Sequence, residues 1–448
     1  MGLVLKGGVP LLLLVAVLVW NWDGSPPVIS WPAKLSESVG GQSPITVRLL
    51  DSGKGLASVS VVAVQADTRS PILTERIARP LAPWASGTLQ RELTFSMDDT
   101  PGLAAFKDGA FSVEVRVEDH ANWWMFSRSA ATVRTFELDR TPPRVILLST
   151  QHRIRQGGAE LIRYRTSPDT QHSGVTVGER SFRGYRQPTA DSDEFVCLFA
   201  LAHNDSVQIP ISLWAEDHVG NRTETTLSVF RHERRFRQRT ITISDRFIDT
   251  VLAEVIRQSE LPAPETQLER FLLVNAELRR RNDAAIEDIA GRSVDHALWS
   301  EVFSQLSNSQ VEARYADHRS YVYQGREVDR QTHLGFDLAS TSQGPVEAAN
   351  AGTVVYTAYL GIYGNCVIVD HGLGLMSLYA HLSQIDVAEG QQVQRGDMLG
   401  RTGKTGLAGG DHLHFAILVQ GVPVTPLEWW DAGWVQTRFF SRLRAEDG

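Results

Sequence analysis

Residues 365–382 read Asn365-Cys-Val-Ile-Val-Asp370, His371-Gly-Leu-Gly374 and Leu375-Met-Ser-Leu-Tyr379-Ala-His-Leu382. Two runs rich in apolar residues flank a glycine-rich turn, and runs of this kind predict strands. The turn is too short for a parallel crossover, so we expect the two strands to pair antiparallel. Gly352-Thr-Val-Val-Tyr356 predicts a further strand just upstream. The sequence therefore predicts an antiparallel β domain that extends over 311–430.

Histidines and one aspartate flank these strands in two short motifs, His333-Leu-Gly-Phe-Asp337 and His412-Leu-His414. Side chains two or four positions apart on an extended strand point to the same side, so each motif can present its two polar residues together. Zinc binds imidazole nitrogen and carboxylate oxygen, and a catalytic zinc keeps three protein ligands and one open position. Together with His381, these residues predict a hydrolytic zinc centre, because a cluster of buried imidazoles without a ligand would be costly.

Composition limits the other possibilities. The chain has 448 residues, enough for roughly three domains of 100 to 200 residues each. Its net charge of -8 provides no basic surface, which argues against a nucleic-acid partner. The two cysteines, Cys197 and Cys366, fall in different predicted domains, so we expect buried free thiols and no disulfide framework. No His-Glu-x-x-His motif occurs, which excludes a helix-borne zinc site of that kind.

The N-terminal residues, 1–24, predict a signal anchor. Lys6 precedes a charge-free apolar run over 9–20, and a polar stretch follows over 21–25, as is typical of export signals. No small-x-small cleavage site follows, so we expect an uncleaved transmembrane segment with the body of the protein outside the cytoplasm. The run is shorter than the roughly 20 residues that a spanning helix needs, and a cleaved signal peptide is the alternative.

Two β-sandwich domains are predicted next, over 25–140 and 141–240. The alternating run Phe111-Ser-Val-Glu-Val-Arg-Val117 is typical of a strand with one buried face. Val117-Glu-Asp-His-Ala-Asn122 recurs as Ala215-Glu-Asp-His-Val-Gly-Asn221, a spacing of 98 residues that fits one sandwich domain. The segments resemble the immunoglobulin-like (Ig-like) modules found as spacers in bacterial surface proteins.

Several residues with suggestive chemistry are assigned structural roles. His120 and His218 lie in Asp-His turn contexts, where the neighbouring Asp and Asn bond to local backbone. Trp123 and Trp124 are expected to pack in a core or between domains. His371 is expected to support a turn.

A short helical connector is predicted over 241–310. Apolar residues recur at helical spacing from Phe247 to Ile256 after the cap Ser244-Asp245, and a second helix is expected from about Glu265 to Arg281. We interpret the connector as having a small core of its own. We hypothesise that its helices limit access to the site until a protein regulator or the substrate moves them. Residues 431–448 are predicted to form a C-terminal tail.

Six motifs in the last 130 residues resemble the M23 (lysostaphin/LytM-type) zinc metallopeptidases in order and spacing. They are Thr332-His333-Leu-Gly-Phe-Asp337-Leu, Gly364-Asn365, Tyr379-Ala-His381-Leu-Ser383, Gly390-Gln-Gln-Val-Gln-Arg-Gly396, Gly400-x-x-Gly403-x-x-Gly406 and His412-Leu-His-Phe415. The resemblance implies an antiparallel β fold, a zinc cofactor and cleavage of peptide bonds in peptidoglycan. It implies zinc binding by His333, Asp337 and His414, with His381 and His412 as the catalytic pair; which of the two is the base stays open.

Two other classes of protein are alternatives to the envelope-anchored endopeptidase. One is a catalytically silent scaffold or regulator that binds the cell wall and acts on other peptidoglycan hydrolases. The other is a lipoyl- or biotinyl-type carrier, suggested by Gly352-Thr-Val and Gly390-x-x-Val-x-x-Gly396, which resemble that half-barrel. The chain lacks a Met-Lys-Met-like turn with a lysine for modification, which argues against a carrier. The sequence leaves open which crosslink is cut and the oligomeric state.

Overall fold

The computed structural model describes residues 25–79, 85–120, 127–187 and 193–443. Strands make up 45% of the structure and helices 15%, so the prediction of a mainly β protein is confirmed. The predicted anchor over 1–24 lies outside the described residues. Within the described ranges, we find no helix that is both long and apolar enough to cross a membrane. The chain divides into two compact units, 1–142 with 216–222 and 143–215 with 223–448.

The first unit is built on two sheets of strands with one buried face each. Its strands β1 to β8 are, in chain order, Val28–Ser30, Ser38–Val39, Ile45–Leu50, Leu56–Gln65, Thr68–Arg76, Gln90–Phe95, Gly109–Asp119 and Ser129–Leu138. One sheet has the order β1-β3-β6 and the other the order β2-β8-β7-β4-β5. Alternate residues of β7, such as Phe111, Val113 and Val115, are buried, which confirms the predicted strand. A short 3-10 helix spans Pro101–Leu103.

The second unit begins with two four-stranded sheets, as expected for a sandwich. Strands β9 to β18 are Val145–Leu147, Arg153–Arg155, Gly158–Thr166, Thr170–Val177, Arg180–Arg183, Tyr185–Arg186, Glu194–Leu201, Ile211–Asp217, Arg222–Thr226 and Phe230–His232. The sheet orders are β14-β15-β11-β9 and β13-β12-β16-β17, with β10 and β18 forming a separate parallel pair. Cys197 lies fully buried in β15, and Cys366 is also buried; both are free thiols, as predicted.

The C-terminal part of the second unit is the antiparallel domain. Strands β19 to β32 are Gln238–Ile243, Gln310–Ala313, Asp317–Tyr323, Arg326–His333, Phe336–Ala339, Pro345–Glu347, Gly352–Tyr359, Asn365–Asp370, Leu375–Leu382, Gln384–Ile385, Gln392–Val393, Met398–Arg401, Leu413–Val419 and Val422–Val424. The main sheet has the order β20-β23-β31-β27-β26-β25-β29, with β32 paired to β31. Two smaller sheets, β19-β21-β22 and β24-β30-β28, complete the domain.

The three central strands of the main sheet are buried on both faces. β27 and β31 have no exposed residue, and the interior of β26 is buried as well. Odd positions such as Val367, Tyr379 and Phe415 join one hydrophobic core, which also contains residues of the preceding sandwich. Even positions such as Ile368, Leu378 and Ala416 join a second core. Burial on both sides explains why these strands appear in the sequence as continuous apolar runs.

The second core is closed by two helices. The first consists of Asp245–Phe247, the π-helical turn Ile248–Leu252 and Ala253–Gln258, and Ser244 caps its N-terminus by accepting a hydrogen bond from the Phe247 N–H. The second consists of Gln267–Leu272, the π-helical turn Leu273–Leu278 and Arg279–Ala290. A capping box joins Thr266 and Glu269 at its start. A 3-10 turn, Gly361–Tyr363, packs in the same core.

Two expectations for this segment were wrong. The second helix does not end near Arg281 but continues to Ala290, because Ile286 and Ile289 extend its buried face and no glycine or proline interrupts it before Gly291. The segment also lacks a core of its own. Ile248, Val255, Phe271 and Val274 pack in one cluster with Met376 and Leu378 of the main sheet.

The described part of the predicted tail, residues 431–443, is helical and largely packed. Its short helical stretches, Ala432–Trp434, Val435–Phe440 and Ser441–Leu443, follow the helix Pro426–Trp429 at the end of the predicted catalytic domain. Phe439 and Phe440 are buried against Trp299. Arg442 forms an ion pair with the fully buried Glu160 of β11. The carboxylate of Glu428 accepts a hydrogen bond from the Ala159 N–H at 3.0 Å, so the C-terminal helices fasten the sandwich to the rest of this unit.

Glu428 predicts a pH dependence of stability. Burial raises the pKa of its carboxyl from 4.5 to about 7. The folded protein therefore retains a proton that the unfolded chain releases, and stability contributed by this group is lost as the pH rises from about 4.5 to about 7. The amide oxygen of Glu428→Gln can still accept a hydrogen bond from the Ala159 N–H. We expect this variant to show a smaller change of melting temperature between pH 5 and pH 8 than the wild type. Glu233→Gln, at an exposed glutamate, is the control, and equal slopes for wild type and Glu428→Gln would refute this role.

Candidate active site

Strand pairing brings two of the predicted site residues side by side. Asp337 on β23 lies opposite His414 on β31, and Ala380 on β27 lies opposite His414 on its other side. His412 precedes β31 and forms an isolated bridge with Gly403. Because residues two apart on a strand face the same way, His412 and His414 both point to the face that the helices cover.

His333 and Asp337 converge by a different route from the expected one. They do not share one extended strand: His333 ends β22 and Asp337 lies on β23, with Leu334 and Gly335 forming the connection. Gly335 passes close to the site, since a Cβ added there would lie 2.6 Å from both Cε1 and Nε2 of His414. A glycine is therefore needed between the two ligand positions of this motif.

His381 reaches the site through a strand irregularity. Strand alternation would turn it to the opposite face from Ala380, but the register between β26 and β27 shifts here, so that Ala380 and His381 together oppose Cys366. His381 has a φ of 63°, in the left-handed region that few non-glycine residues adopt. Bulges of this kind often re-aim a side chain next to an active site, at a local cost in backbone strain.

Three atoms that could ligate a metal ion meet at the centre of the site. His333 Nε2 lies 2.8 Å from Asp337 Oδ1 and 3.0 Å from His414 Nδ1, and His414 Nδ1 lies 3.0 Å from Asp337 Oδ1. We call these residues the three-ligand group. Their geometry is that of a group able to hold a metal ion.

The other two histidines flank this group. His412 Nε2 is 3.5 Å from Asp337 Oδ1. The ring centroids of His381 and His412 are 4.8 Å apart, and those of His381 and His414 are 5.8 Å apart. All five residues predicted from the sequence therefore lie in one cluster.

Backbone carbonyls orient three of the imidazoles. His333 Nδ1 lies 3.0 Å from Arg314 O, His381 Nδ1 lies 2.8 Å from Thr405 O, and His412 Nδ1 lies 2.9 Å from Gly410 O. A carbonyl can only accept, so each Nδ1 carries a proton and each Nε2 is the ring nitrogen that faces the site.

Burial and the central carboxylate set the charges of the site. Burial lowers the pKa of His414 to about 4 and, with neighbouring imidazoles, holds that of His381 well below its usual range. Burial acts against ionisation of Asp337, but the imidazoles of His333, His412 and His414 outweigh it and hold the Asp337 pKa well below its usual range. Burial also opposes protonation of His412, yet its hydrogen bond to Asp337 raises its pKa. The site thus combines an ionised carboxylate, Asp337, with two imidazoles, His381 and His414, whose neutral form is favoured by burial.

A cavity of about 280 Å³ opens onto the cluster. Helical residues contribute to its wall, namely Phe247, Phe271, Asn275 and Arg279. Asn275 is fully buried and donates a hydrogen bond to Asp329 Oδ2 at 2.7 Å, which ties the second helix to β22 beside the cavity. The helices therefore border the site directly.

Sequence reasoning missed Arg319. Its guanidinium donates to Asp337 Oδ2 at 3.2 Å, on the side away from the imidazoles, and so fixes the orientation of the carboxylate. Groups that hold a ligand in this way tune metal affinity. The strand around Tyr321-Val-Tyr323 alternates and was a usable signal for β21. Nothing in the sequence identifies Asp337 as the partner of Arg319.

The described histidines that were assigned structural roles have local partners. His371 is fully buried and its two ring nitrogens lie 2.7 Å from Ala351 O and 2.8 Å from Ser377 Oγ. In the turn that contains His218, Asp217 Oδ1 accepts from the N–H groups of Val219 and Asn221, each at 2.9 Å. The backbone N–H of His120 donates to Gly55 O. Trp123 and Trp124 lie outside the described residues.

An antiparallel sheet that carries a His/Asp/His group flanked by two imidazoles defines a candidate hydrolytic metal centre. Residues 331–426 match the model of peptidase family M23, and the C-terminal part of the chain is therefore a peptidase M23 domain. The predicted resemblance to the lysostaphin/LytM type is confirmed at this level.

Curated relatives share this region. The chain is 40% identical over 95 residues to the DD-carboxypeptidase/endopeptidase Mpg of Neisseria meningitidis, covering 21% of this chain and 22% of that protein. It is 41% identical over 96 residues to the peptidoglycan DD-endopeptidase ShyA of Vibrio cholerae, with the same coverages of 21% and 22%. The matches thus span about a fifth of the length of these relatives. A peptidase M23 structure from Pseudomonas aeruginosa aligns with a TM-score of 0.38 at 20% identity, covering 62% of this chain and 94% of that one.

Gly335 gives a test of the site geometry. A Cβ at this position would overlap the His414 ring and Phe415 O, so we expect Gly335→Ala to displace His414 and weaken metal binding. The measurement is the metal content after dialysis against a chelator of graded concentration. Gly291→Ala is the matched control, because Gly291 has an ordinary helical φ of -63° and its added Cβ would come no closer than 3.4 Å to any neighbour. Equal metal retention by the two variants would show that His414 has room to move.

Proposed function

We propose that this protein is a zinc-dependent endopeptidase that cleaves peptide crosslinks of bacterial peptidoglycan. The observation that carries the proposal is the convergence of His333 Nε2, Asp337 Oδ1 and His414 Nδ1 to within 3.0 Å of one another in a peptidase M23 domain. Relatives of this domain include proteins named for peptidoglycan DD-endopeptidase activity, which supports the choice of substrate.

The chemistry of the three-ligand group suits zinc. Since His333 donates its Nδ1–H to Arg314 O, the Nε2 of the neutral ring is an acceptor, yet it lies only 2.8 Å from the acceptor Asp337 Oδ1. Two facing acceptors need a cation between them. Two imidazole nitrogens and one carboxylate oxygen form a donor set typical of catalytic zinc with one open position.

Zinc held by these residues would supply Lewis acidity at the scissile carbonyl and lower the pKa of a water toward neutrality. His381 and His412 then divide the proton chemistry. Each directs its Nε2 into the site, because its Nδ1–H donates to a backbone carbonyl. One imidazole accepts the proton of the attacking water at its Nε2, and the other, in its protonated form, donates a hydrogen bond from Nε2–H to the developing oxyanion. Asp337 stays ionised throughout, because Arg319 and the imidazoles stabilise its charge.

The rest of the chain suggests where the reaction takes place. The apolar run over 9–20 supports export across the inner membrane, with the body in the periplasm and the run kept as an anchor, or a secreted protein if the signal is cleaved. Ig-like sandwich domains between the anchor and the catalytic domain would place the site within reach of the cell wall. A scaffold that only binds the wall is less well supported, because such a role does not require five converging metal-site and proton-transfer residues.

Two variants separate metal binding from proton transfer. We expect about one zinc per chain in the wild type, loss of zinc and of activity in His414→Ala, and retained zinc with activity lowered by about 10²- to 10⁴-fold in His412→Ala. The measurement is mass spectrometry of defined crosslinked muropeptides together with metal analysis. His296→Ala, at an exposed histidine outside the cluster, is the control. A wild type that holds zinc and leaves every crosslink intact would instead favour the scaffold.

The helices provide a second element of the proposed function. Phe271 and Asn275 line the cavity, and Asn275 bonds to Asp329, so the second helix borders the path to the zinc site. We propose that this segment limits access for large substrates and that a protein regulator acts on it.

Asn275→Ala tests this gating role. Loss of the bond to Asp329 should loosen the helix locally, and we expect several-fold faster release of peptides from intact sacculi with little change on small soluble dimers. Gln258→Ala, which removes an exposed helical amide remote from the cavity, is the control. Equal changes on both substrates, in a variant shown to be folded by thermal melting, would contradict gating.

A further inference from the structure

Two arginines stand side by side at the edge of the cavity. β19 runs parallel to β21, with Arg239 opposite Arg319, Ile241 opposite Tyr321 and Ile243 opposite Tyr323. Residues two apart on paired strands share a face, so these side chains form one surface. The second helix covers the apolar end of this surface, where the ring centroids of Tyr321 and Phe271 are 5.4 Å apart. Its arginine end lies at the cavity that holds the three-ligand group.

The two arginines have different partners. Arg319 donates to Asp337, and only 19% of its side chain is exposed. Arg239 is exposed, and no carboxylate in the described part of the chain pairs with it. Like charges directly opposite each other in a sheet destabilise the pairing. The repulsion between the two guanidinium groups therefore destabilises this strand pair, and an anionic ligand bound to Arg239 would reduce the repulsion.

The cavity as a whole has an excess of positive charge. A third arginine, Arg279, lines it and donates to the backbone oxygen of Asn275 at 3.1 Å and to its Oδ1 at 3.2 Å. Among the described residues that line the cavity, Asp337 is the one carboxylate. Three guanidiniums against one carboxylate leave an excess of positive charge that attracts an anion, although the chain as a whole carries a charge of -8.

We propose that Arg239 binds a free carboxylate of the substrate, next to the amide that is cleaved. Guanidinium groups bind carboxylates through paired, charge-assisted hydrogen bonds. A crosslink built on a diamino diacid presents such an anion, because the carbon atom bonded to the amide nitrogen also bears a free carboxylate. A crosslink through glycine residues has no charge at that place. The inference rests on the proposed function and narrows its substrate to amides whose amine side carries a free acid.

The test compares two synthetic crosslinked dimers that differ only in this group, one with the free carboxylate and one with the carboxamide. We expect the wild type to prefer the free acid by about 10- to 100-fold in kcat/KM, the range of one charge-assisted pair. Arg239→Gln should bring this ratio close to one and keep its zinc, and Arg239→Lys should restore part of it. Arg330→Gln is the matched control, because Arg330 lies on β22 opposite Ser320, on the other face of the same sheet, and pairs with Glu327.

The outcomes separate this inference from the proposed function. Cleavage of both dimers at equal rates by the wild type, with no change of ratio in Arg239→Gln, would overturn the role of Arg239 while the hydrolase stands. Cleavage of neither dimer would overturn the proposed function. Calorimetric binding of the uncleaved dimers then decides for Arg239: a preference for the free acid that is lost in Arg239→Gln supports its role, and equal binding refutes it.

Discussion

One carboxylate oxygen organises the site. Asp337 Oδ1 lies 2.8 Å from His333 Nε2, 3.0 Å from His414 Nδ1 and 3.5 Å from His412 Nε2, while Oδ2 accepts from Arg319. A largely buried charge persists only where partners compensate its desolvation. Here the partners come from β21, β22 and the start of β31, so a single anion couples strands that are distant in the sequence. The position of the catalytic pair depends on the same coupling, because His412 contacts this oxygen and His381 packs against His412.

The two helices serve the sheet and the site at the same time. They cover the even-numbered face of β26, β27 and β31, and without them Ile368, Met376 and Leu378 would meet water. The cover stops where the surface of β19 and β21 changes from Ile241 and Tyr321 to Arg239 and Arg319. The boundary between apolar and charged side chains on two strands thus decides where the cavity opens. Any movement of the helices that widens the cavity would also expose part of this core, which limits how far they can open.

Much of the site was predictable because its residues are chemically unusual in strands. Histidines and an aspartate in short motifs identified all five members of the cluster, and the strand Asn365–Asp370 was predicted with both of its ends. The way in which they converge was not predictable. His333 meets Asp337 across a turn, and His381 enters the site through a bulge with a φ of 63°, and neither feature has a sequence pattern of its own. Arg319 and Arg239 come together through a parallel pairing of strands 80 residues apart, and only the tertiary register reveals it.

The burial of β27 and β31 on both faces has a consequence for the limits of the catalytic domain. The region that matches the family model, 331–426, ends before the buried residues Trp429, Phe439 and Phe440. It also begins after the helices and after β19, β20 and β21. A fragment cut at these boundaries would contain every residue of the cluster, yet both faces of its sheet would lose part of their apolar cover, and Asp337 would lack Arg319. The segment that matches the family model is therefore smaller than the region whose contacts bury its sheet and complete its site.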